Sequence, residues 1–165
     1  MDLRVGIGID FHRFDPQRKL FLGGVEIPGE PGLSGHSDAD VIIHAVCDAL
    51  LGAAGLGDIG KHFPPSDPAY KDIASLKLLE RVRELLAERG YVPLQVDVAV
   101  VAERPRLSPY VPAMRERIAQ VLGIAVEDVS VKATTPEGMG ALGRGEGIGV
   151  WAVALIRKAE GYPGR

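Results

Sequence analysis

The sequence predicts an α+β fold, a mixed β-sheet with helices packed on one face. Segments of alternating apolar residues and segments of helical period follow one another in the order β-β-α-loop-α-β-α-β-β. The length of 165 residues suits one domain with a sizeable core, expected here over residues 1–165. The stretches 94–102 and 147–156 are too apolar for a solvent-exposed sheet face. We therefore expect an oligomer that covers the free side of the sheet.

The first half of the chain predicts two strands and one apolar helix. Residues 3–12 alternate as a strand does, and Asp10 and His12 lie two apart, on one face. A second apolar run at 20–27 contains a Gly-Gly pair, which indicates a bulge or a close backbone approach. A helix follows at about 39–54, and Asp38 or Asp40 is expected to cap its start.

The second half opens with a long loop at 55–70, rich in Gly, Pro and Asp. Loops of this length in compact domains are commonly functional, so we expect an ordered segment that closes over a ligand. An amphipathic helix is predicted at 72–89, and it ends at Gly90. The remaining predicted elements are a buried strand at 94–102, a helix at 108–122, a short strand at 129–133 and a final strand at 147–156, followed by a frayed tail at 161–165.

Composition excludes several classes of protein. The net charge is −3 and aromatic residues make up 5%, so the chain has neither a basic stripe nor a base-stacking surface for nucleic acid. It has no apolar stretch long enough for a membrane span and no signal-peptide pattern. The single cysteine, Cys47, lies in the apolar helix and cannot form an internal disulfide. We expect a reducing, cytoplasmic location.

Asp10, His12 and His44 form the first constellation with chemical meaning. A strand that offers a carboxylate and an imidazole to one side is half of a metal site, and zinc accepts both ligand types. His44 would complete a set of three protein ligands, and Asp48, on the same helix face, would orient it. The alternatives are a surface polar pair for Asp10 and His12, and a core histidine bonded to its neighbour for His44.

Three further segments suit anions. His36-Ser37-Asp38 precedes the helix, Lys132-Ala133-Thr134-Thr135-Pro136-Glu137 follows a strand, and Arg144 lies between glycines. The alternatives are a plain capping loop, an ordinary turn and a structural Arg144–Glu146 pair. Hydroxyls suit phosphate oxygens, and a carboxylate suits Mg²⁺ or Mn²⁺. A metal site, anion-binding segments and a closing loop together fit phosphoryl chemistry.

Taken together, these motifs resemble the 2-C-methyl-D-erythritol 2,4-cyclodiphosphate synthases, in order and across essentially the whole chain. No cytidylyltransferase domain precedes the motifs, so the chain is similar to the monofunctional form. The motifs are Gly8-Ile9-Asp10-Phe11-His12, His36-Ser37-Asp38-Ala39-Asp40, Asp48-Ala49-Leu50-Leu51-Gly52-Ala53, Gly57-Asp58-Ile59-Gly60, Phe63-Pro64 with Asp67-Pro68, Lys132-Ala133-Thr134-Thr135 with Glu137, and Gly143-Arg144-Gly145-Glu146-Gly147.

The resemblance implies a lyase of the non-mevalonate isoprenoid pathway. Its substrate would be 4-diphosphocytidyl-2-C-methyl-D-erythritol 2-phosphate. The 2-phosphate would attack the β-phosphorus of the cytidine diphosphate, and CMP would leave a cyclic diphosphate behind. Nucleophile and electrophile share one molecule, so no covalent enzyme intermediate is needed.

The resemblance also implies roles for individual residues. Asp10, His12 and His44 would hold Zn²⁺, and Glu137 would support Mg²⁺ or Mn²⁺ at the substrate phosphates. His36 and Thr135 would stabilise the transition state. The methylerythritol end would be held by Ser37, Asp58, Ile59, Gly60, Phe63, Pro64, Pro65, Ser66 and Asp67, and the cytidine end by Ala102, Glu103, Arg104, Pro105, Arg106, Leu107, Ser108, Ala133 and Thr134.

The same family implies a homotrimer whose sheets face the threefold axis and whose sites lie between adjacent subunits. Arg144 and Glu146 would lie near that axis, where related proteins can hold an isoprenoid diphosphate. Two positions depart from the family pattern. The family often has Thr at the position of Pro136 and Phe at the position of Ala141. The first removes a hydroxyl and an N–H near the phosphates. The second widens the axial cavity and leaves Arg144 as its evident anchor.

Two other functions remain open from the sequence. A zinc hydrolase acting on a nucleotide would use Asp38 or Asp58 as its general base and would incorporate water into its product. A trimeric binding module for a nucleotide or an isoprenoid diphosphate would bind its ligand without turnover. All three interpretations need His44, whereas only the catalytic ones need Glu137.

Overall fold

A computed structural model of the protein describes residues 2–162, and the last predicted tail residues, 163–165, lie outside that range. A five-stranded sheet and a separate two-stranded hairpin carry helices on one side. The strands are β1 (Leu3–Asp15), β2 (Leu20–Leu22), β3 (Val25–Ile27), β4 (Gly32–Leu33), β5 (Tyr91–Val101), β6 (Val129–Thr134) and β7 (Gly147–Lys158). The helices are α1 (Val41–Ala53), α2 (Ile59–His62), α3 (Ser75–Glu88), α4 (Val111–Leu122) and α5 (Gly140–Gly143).

The sheet is mixed, as predicted. Its strand order is β4-β1-β7-β5-β6. The pairs β1–β7 and β7–β5 are antiparallel, whereas β5 and β6 run parallel and are connected through α4. Within residues 2–162, no helix combines the length and the apolarity that a membrane crossing needs.

Helix α1 is buried on almost every side and lies directly on β1. Gly6 and Gly8 of β1 make this contact possible, because a Cβ on Gly8 would lie 1.9 Å from the carbonyl oxygen of Ala45. A Cβ on Gly6 would lie 2.0 Å from the carbonyl oxygen of Ala49. The two glycines therefore allow a closer approach of helix and strand than any other residue would. The β1 residues that follow on the same face, Asp10 and His12, meet the start of α1.

The opposite face of β1 is apolar and exposed. Its side chains are Leu3, Val5, Ile7, Ile9 and Phe11, all about half exposed or more. Val153 of the neighbouring β7 continues the patch. The exposed apolar surface that the sequence predicts thus lies mainly on β1, because Val96, Val98 and Val100 of β5 point into the core and are fully buried.

Several boundaries differ from the sequence prediction. The run at 20–27 is a hairpin, since Gly23 and Gly24 both have positive φ (60° and 76°) and form its two-residue turn. Both turn N–H groups donate to the buried carboxylate of Asp40, at 2.9 and 2.7 Å. Asp40 also caps α1 by accepting from the N–H of Ile43, so the cap is Asp40 and not Asp38.

Helices α3 and α4 each begin three residues later than predicted, at Ser75 and Val111. The loop at 55–70 contains α2 and a 3₁₀ turn at Pro68–Tyr70. The sequence analysis missed β4 and α5 altogether, because elements of two and four residues are too short to show a hydrophobic period.

Candidate active site

Asp10, His12 and His44 meet where the end of β1 crosses the start of α1. His12 Nε2 lies 2.9 Å from Asp10 Oδ2, and His44 Nδ1 lies 3.2 Å from the same oxygen. The two imidazole nitrogens are 3.3 Å apart. One ligand atom from each residue thus points to a common centre, with all three within 4.8 Å of one another. The predicted grouping is confirmed.

The hydrogen bond of His12 Nδ1, the ring nitrogen that points away from the centre, fixes the tautomer of the ring. His12 Nδ1 lies 2.5 Å from the carbonyl oxygen of Ser34. A carbonyl oxygen only accepts, so Nδ1 carries the proton and donates it. In the neutral ring, Nε2 then presents its lone pair to the centre.

His44 is oriented in the same way, through hydroxyl groups. Its Nε2 lies 3.0 Å from Ser75 Oγ, and Ser75 donates its own hydroxyl proton to a carboxylate oxygen of Asp38. Ser75 therefore accepts from His44 Nε2–H, which leaves the lone pair of Nδ1 facing the centre. Two lone pairs and a carboxylate oxygen at this spacing repel one another unless a cation lies between them. The donor set fits a metal ion such as zinc.

The charges of the cluster are coupled. Burial raises the pKa of Asp10, but its interactions with His12 and His44 outweigh burial and bring the pKa down to about 2. Burial lowers the pKa of His12, but its hydrogen bond to Asp10 outweighs burial, so the net pKa is raised. In the metal-free protein, a proton on His12 therefore supplies part of the positive charge that a bound metal ion would supply.

Asp48 has a different role from the predicted one. Its carboxylate accepts from the backbone N–H of Ile59, at 2.8 Å, and so fixes the start of α2. The partner of His44 Nε2 is Ser75, with Ser37 Oγ also at 3.0 Å. The prediction that Asp48 orients His44 is therefore wrong. The side chains of His44 and Asp48 point in different directions, although the two residues share a helix face. His44 points toward β1, whereas Asp48 reaches the loop that follows the helix.

The general bases considered for a hydrolase are both engaged. Asp38 accepts from the N–H and the hydroxyl of Ser75 and from the N–H of Asp40. Asp58 caps α2 by accepting from Lys61 N–H at 3.0 Å.

A cavity of about 250 Å³ opens directly over the metal cluster. It includes the predicted residues Asp10, His12, His36, Ser37, His44, Ile59, Gly60, Phe63 and Pro65, and also Tyr70 and Leu78, which the sequence analysis did not name. His36 ties the loop over this cavity, because its Nε2 lies 3.2 Å from the carbonyl oxygen of Asp67 and its own carbonyl accepts from Asp72 N–H. Asp58, Pro64, Ser66 and Asp67 shape the loop without lining the cavity.

A second, larger groove of about 600 Å³ lies beyond the ends of β5 and β6. Its walls contain the predicted residues Ala102, Glu103, Pro105, Arg106, Leu107, Ser108, Ala133, Thr134 and Thr135, and Lys132 of the predicted anion-binding segment. They also contain Val111, Pro112 and Val131, which were not predicted. Arg104 is not in the walls. The sequence signal for the additional residues is their position beside the predicted ones, on β6 and on the first turn of α4.

The turn after β6 carries Thr135 and Glu137, both exposed. Glu137 has a positive φ of 54°, which is uncommon for a residue with a side chain. Thr135 Oγ1 accepts from Glu137 N–H at 3.3 Å, and Glu103 accepts from Gly138 N–H at 2.6 Å. The two bonds hold the turn to the rim of the groove.

The metal cluster and this turn are separated within one chain. The register pairs Asp10 with Val150, Val150 with Val100, and Val100 with Ala133. Three strand spacings of about 4.8 Å place Asp10 and Ala133 roughly 14 Å apart. Arg144 lines neither cavity, and it bonds Glu146 at 2.8 Å as the structural interpretation predicted.

The chain is similar along nearly its whole length to proteins of one family. The model of the YgbB family matches residues 3–157. The 2-C-methyl-D-erythritol 2,4-cyclodiphosphate synthase of Symbiobacterium thermophilum is 64% identical over 152 residues, which is 92% of this chain and 97% of that protein. The synthase of Alkaliphilus metalliredigens is 55% identical over 96% of this chain and 100% of that protein.

Solved structures show the same fold. The bifunctional IspDF from Campylobacter jejuni has a TM-score of 0.91 at 39% identity, over 95% of this chain and 42% of that chain. The CDP complex of IspF from Plasmodium falciparum has a TM-score of 0.83 at 33% identity, over 96% of this chain and 98% of that chain. The chain therefore belongs to the YgbB family, and its resemblance to the 2-C-methyl-D-erythritol 2,4-cyclodiphosphate synthases is confirmed.

Proposed function

We propose that residues 1–165 act as one synthase domain, a phosphorus–oxygen lyase. It converts 4-diphosphocytidyl-2-C-methyl-D-erythritol 2-phosphate to 2-C-methyl-D-erythritol 2,4-cyclodiphosphate and CMP. The observation that carries the proposal is the cluster of Asp10, His12 and His44 beneath a small cavity, in a chain 64% identical to a named synthase. The solved relatives in complex with CDP support a cytidine nucleotide as the ligand of the larger groove.

The reaction exchanges one phosphorus–oxygen bond for another. An oxygen of the 2-phosphate forms a bond to the β-phosphorus, and the bond from that phosphorus to the bridging oxygen breaks. CMP leaves with the bridging oxygen. Bound Zn²⁺ and Mg²⁺ or Mn²⁺ would supply positive charge to the phosphate oxygens.

The small cavity suits the methylerythritol end. Ile59, Phe63 and Leu78 offer an apolar wall to a methyl-bearing carbon chain. The loop over the cavity, tied by His36, excludes water from the β-phosphorus. Exclusion of water favours attack by the internal phosphate over hydrolysis, and His36 and Ser37 offer polar groups to the phosphates.

The larger groove suits the cytidine end. It lies at the carboxyl ends of the parallel strands β5 and β6, where backbone groups and the hydroxyls of Thr134 and Thr135 are exposed. Glu137, at the rim, would hold the second metal ion together with the substrate phosphates. Thr135 would stabilise the charge that develops during transfer.

We infer that one active site uses two subunits of a homotrimer. A diphosphate is much shorter than the roughly 14 Å that separate Asp10 from Ala133 in one chain, so it cannot contact both at once. The exposed apolar face of β1, with Leu3, Val5 and Ile7, offers the surface for association around a threefold axis. The metal cluster of one subunit would then face the groove of the next.

A phosphorus NMR time course with this substrate, Zn²⁺ and Mg²⁺ tests the activity. We expect CMP and a cyclic diphosphate, with no oxygen taken up from ¹⁸O-labelled water. CMP with an open-chain phosphate that carries ¹⁸O would identify a hydrolase instead. Saturable binding without any product would identify a binding module.

Mixing two inactive variants tests the shared site. His44→Ala lacks the metal half and Glu137→Ala lacks the rim of the groove, so each homotrimer is inactive. Unfolded and refolded together, they form mixed trimers in which about one site in three combines two intact halves. Activity that returns on mixing supports the shared site. A mixture as inactive as its parents, with mixed trimers shown by mass, contradicts it.

A further inference from the structure

Arg18, in the turn between β1 and β2, bonds the backbone on both sides of His36. One terminal nitrogen of its guanidinium donates to the carbonyl oxygen of Gly35, and the other donates to that of Ser37. The half-buried guanidinium thus spans a three-residue segment with both arms of its fork. Arg18 takes part in none of the ion pairs found within residues 2–162.

The segment that Arg18 holds contacts both histidines of the metal cluster. The carbonyl of Ser34 accepts from His12 Nδ1, and Ser37 Oγ lies 3.0 Å from His44 Nε2. Gly35 lies against the ring of His12, since a Cβ there would be 3.2 Å from His12 Cε1. One short segment, residues 34–37, therefore contacts both rings on the side that faces away from the metal centre.

The turn that carries Arg18 is itself fixed to the fold. The backbone carbonyl of Arg18 accepts from Gly32 N–H at 2.8 Å, and the N–H of Arg18 donates to the carbonyl of Asp15. A Cβ on Gly32 would lie 2.5 Å from the Arg18 carbonyl oxygen, so only glycine allows this approach. The guanidinium therefore reaches the 34–37 segment from an anchored position.

We propose that Arg18 is a positioning residue for the metal site. By holding residues 34–37, it orients the imidazoles of His12 and His44 for a single ion, and it places His36 and Ser37 at the cavity. It touches neither substrate nor metal. The inference rests on the proposed function of the cluster, but its test measures metal binding alone, so loss of turnover elsewhere does not affect it.

Arg115 provides a matched control. It is also half-buried, and its guanidinium also bonds two backbone carbonyls, those of Val129 at 2.7 Å and Val126 at 3.0 Å. Val129 is the first residue of β6 and Val126 lies three residues before it, so both carbonyls are at the end of the strand opposite to Thr134. A variant of Arg115 thus loses an equivalent set of hydrogen bonds without any link to the histidines.

The experiment compares Zn²⁺ affinity, measured by competition with a chelator, in Arg18→Ala, Arg18→Lys and Arg115→Ala. Loss of an outer partner of a metal ligand weakens binding roughly 10- to 100-fold. We expect a loss of this size in both Arg18 variants, because a lysine keeps the charge but cannot span two carbonyls. Thermal melts of the metal-free proteins should show that Arg115→Ala is less stable than the wild type. Its Zn²⁺ affinity should equal that of the wild type.

Three results would overturn the proposal. Wild-type affinity in Arg18→Ala would show that the segment holds its place without the clamp. Full recovery in Arg18→Lys would show that only the charge matters. An equal loss of affinity in Arg115→Ala would show a general effect of stability. Arg18→Lys keeps the test decisive if the alanine variant does not fold.

Discussion

The two halves of the proposed site are built in opposite ways. At the metal cluster, the side chains of His12 and His44 are 15% and 8% exposed, and each remote nitrogen has a defined partner. At the turn after β6, Thr135 and Glu137 are exposed and are fixed mainly through backbone N–H groups. A half that is complete in one chain is preorganised, whereas an open half is expected to become ordered against a neighbouring subunit and substrate.

The largest effect is expected for His44→Ala. Removal of one of three ligands should weaken Zn²⁺ binding by more than the roughly 100-fold that loss of an outer partner costs. Activity should be lost with the metal, while the fold and the proposed trimer remain. Chelator competition and size measurement check this. His62→Ala is the control, because within residues 2–162 the His62 ring bonds the Leu56 carbonyl and no residue of the cluster. Full metal occupancy in His44→Ala would contradict the ligand assignment.

Glu137→Gln should separate the two halves. We expect turnover to fall by about 100-fold or more, because charge stabilisation at the phosphates is lost. Affinity for Zn²⁺ without substrate should stay at the wild-type value, since Glu137 lies outside the cluster in its own chain. Glu127→Gln, another exposed glutamate, serves as the control for loss of charge. A fall in resting Zn²⁺ affinity would show that the halves are not independent.

Ser75→Ala should weaken the metal half without breaking it. The substitution removes the acceptor of His44 Nε2–H, so the ring loses a preference for the tautomer that binds metal. We expect Zn²⁺ affinity to fall roughly 10-fold. Ser130→Ala on the exposed side of β6 is the matched control. Unchanged affinity would mean that Ser37 alone orients His44.

The smallest effect concerns pH and stability. The folded state raises the pKa of His12, so the contribution of its proton to stability is fully present below about pH 6.5 and is lost as the pH rises through the raised value. The metal-free protein should therefore become less stable as the pH increases above 6.5. The increase in stability on adding Zn²⁺ should grow over the same range, because the metal displaces that proton.

Thermal melts with and without Zn²⁺ at several pH values check these opposite slopes. In His12→Gln, the pH dependence of the metal-free protein should flatten over this range. Parallel slopes for the metal-free and metal-loaded proteins would contradict the exchange of proton for metal at His12.

Much of the metal half could be predicted because its signals are local. Asp10 and His12 follow the period of a strand, and His44 follows a helix cap by four residues. The partner of His44 could not be found this way, since Ser75 lies 31 residues further along the chain. The Arg18 clamp depends on the path of a turn that no periodicity describes.

The fold shows the same division. Long periodic segments such as α1, β5 and β7 were placed correctly to within a few residues. The Gly-Gly pair predicts a bulge or a close approach. The close approach is present, since a Cβ on Gly23 would lie 2.7 Å from Met114 Cβ. The hairpin was not predicted, because Asp40, which holds it, lies 16 residues beyond Gly24. The separation of the metal cluster from Glu137 follows from the position of β7 between β1 and β5, and strand order is not written in any single segment.

The absence of a side chain at Gly8 sets a dimension of the metal site. A methyl group there would lie 1.9 Å from the carbonyl oxygen of Ala45, the residue next to His44, so helix and strand would have to separate by over about 1 Å. His44 would then leave the reach of an ion held by Asp10 and His12. Core packing and metal affinity both depend on the distance between α1 and β1. A substitution that contacts no metal ligand would therefore weaken metal binding.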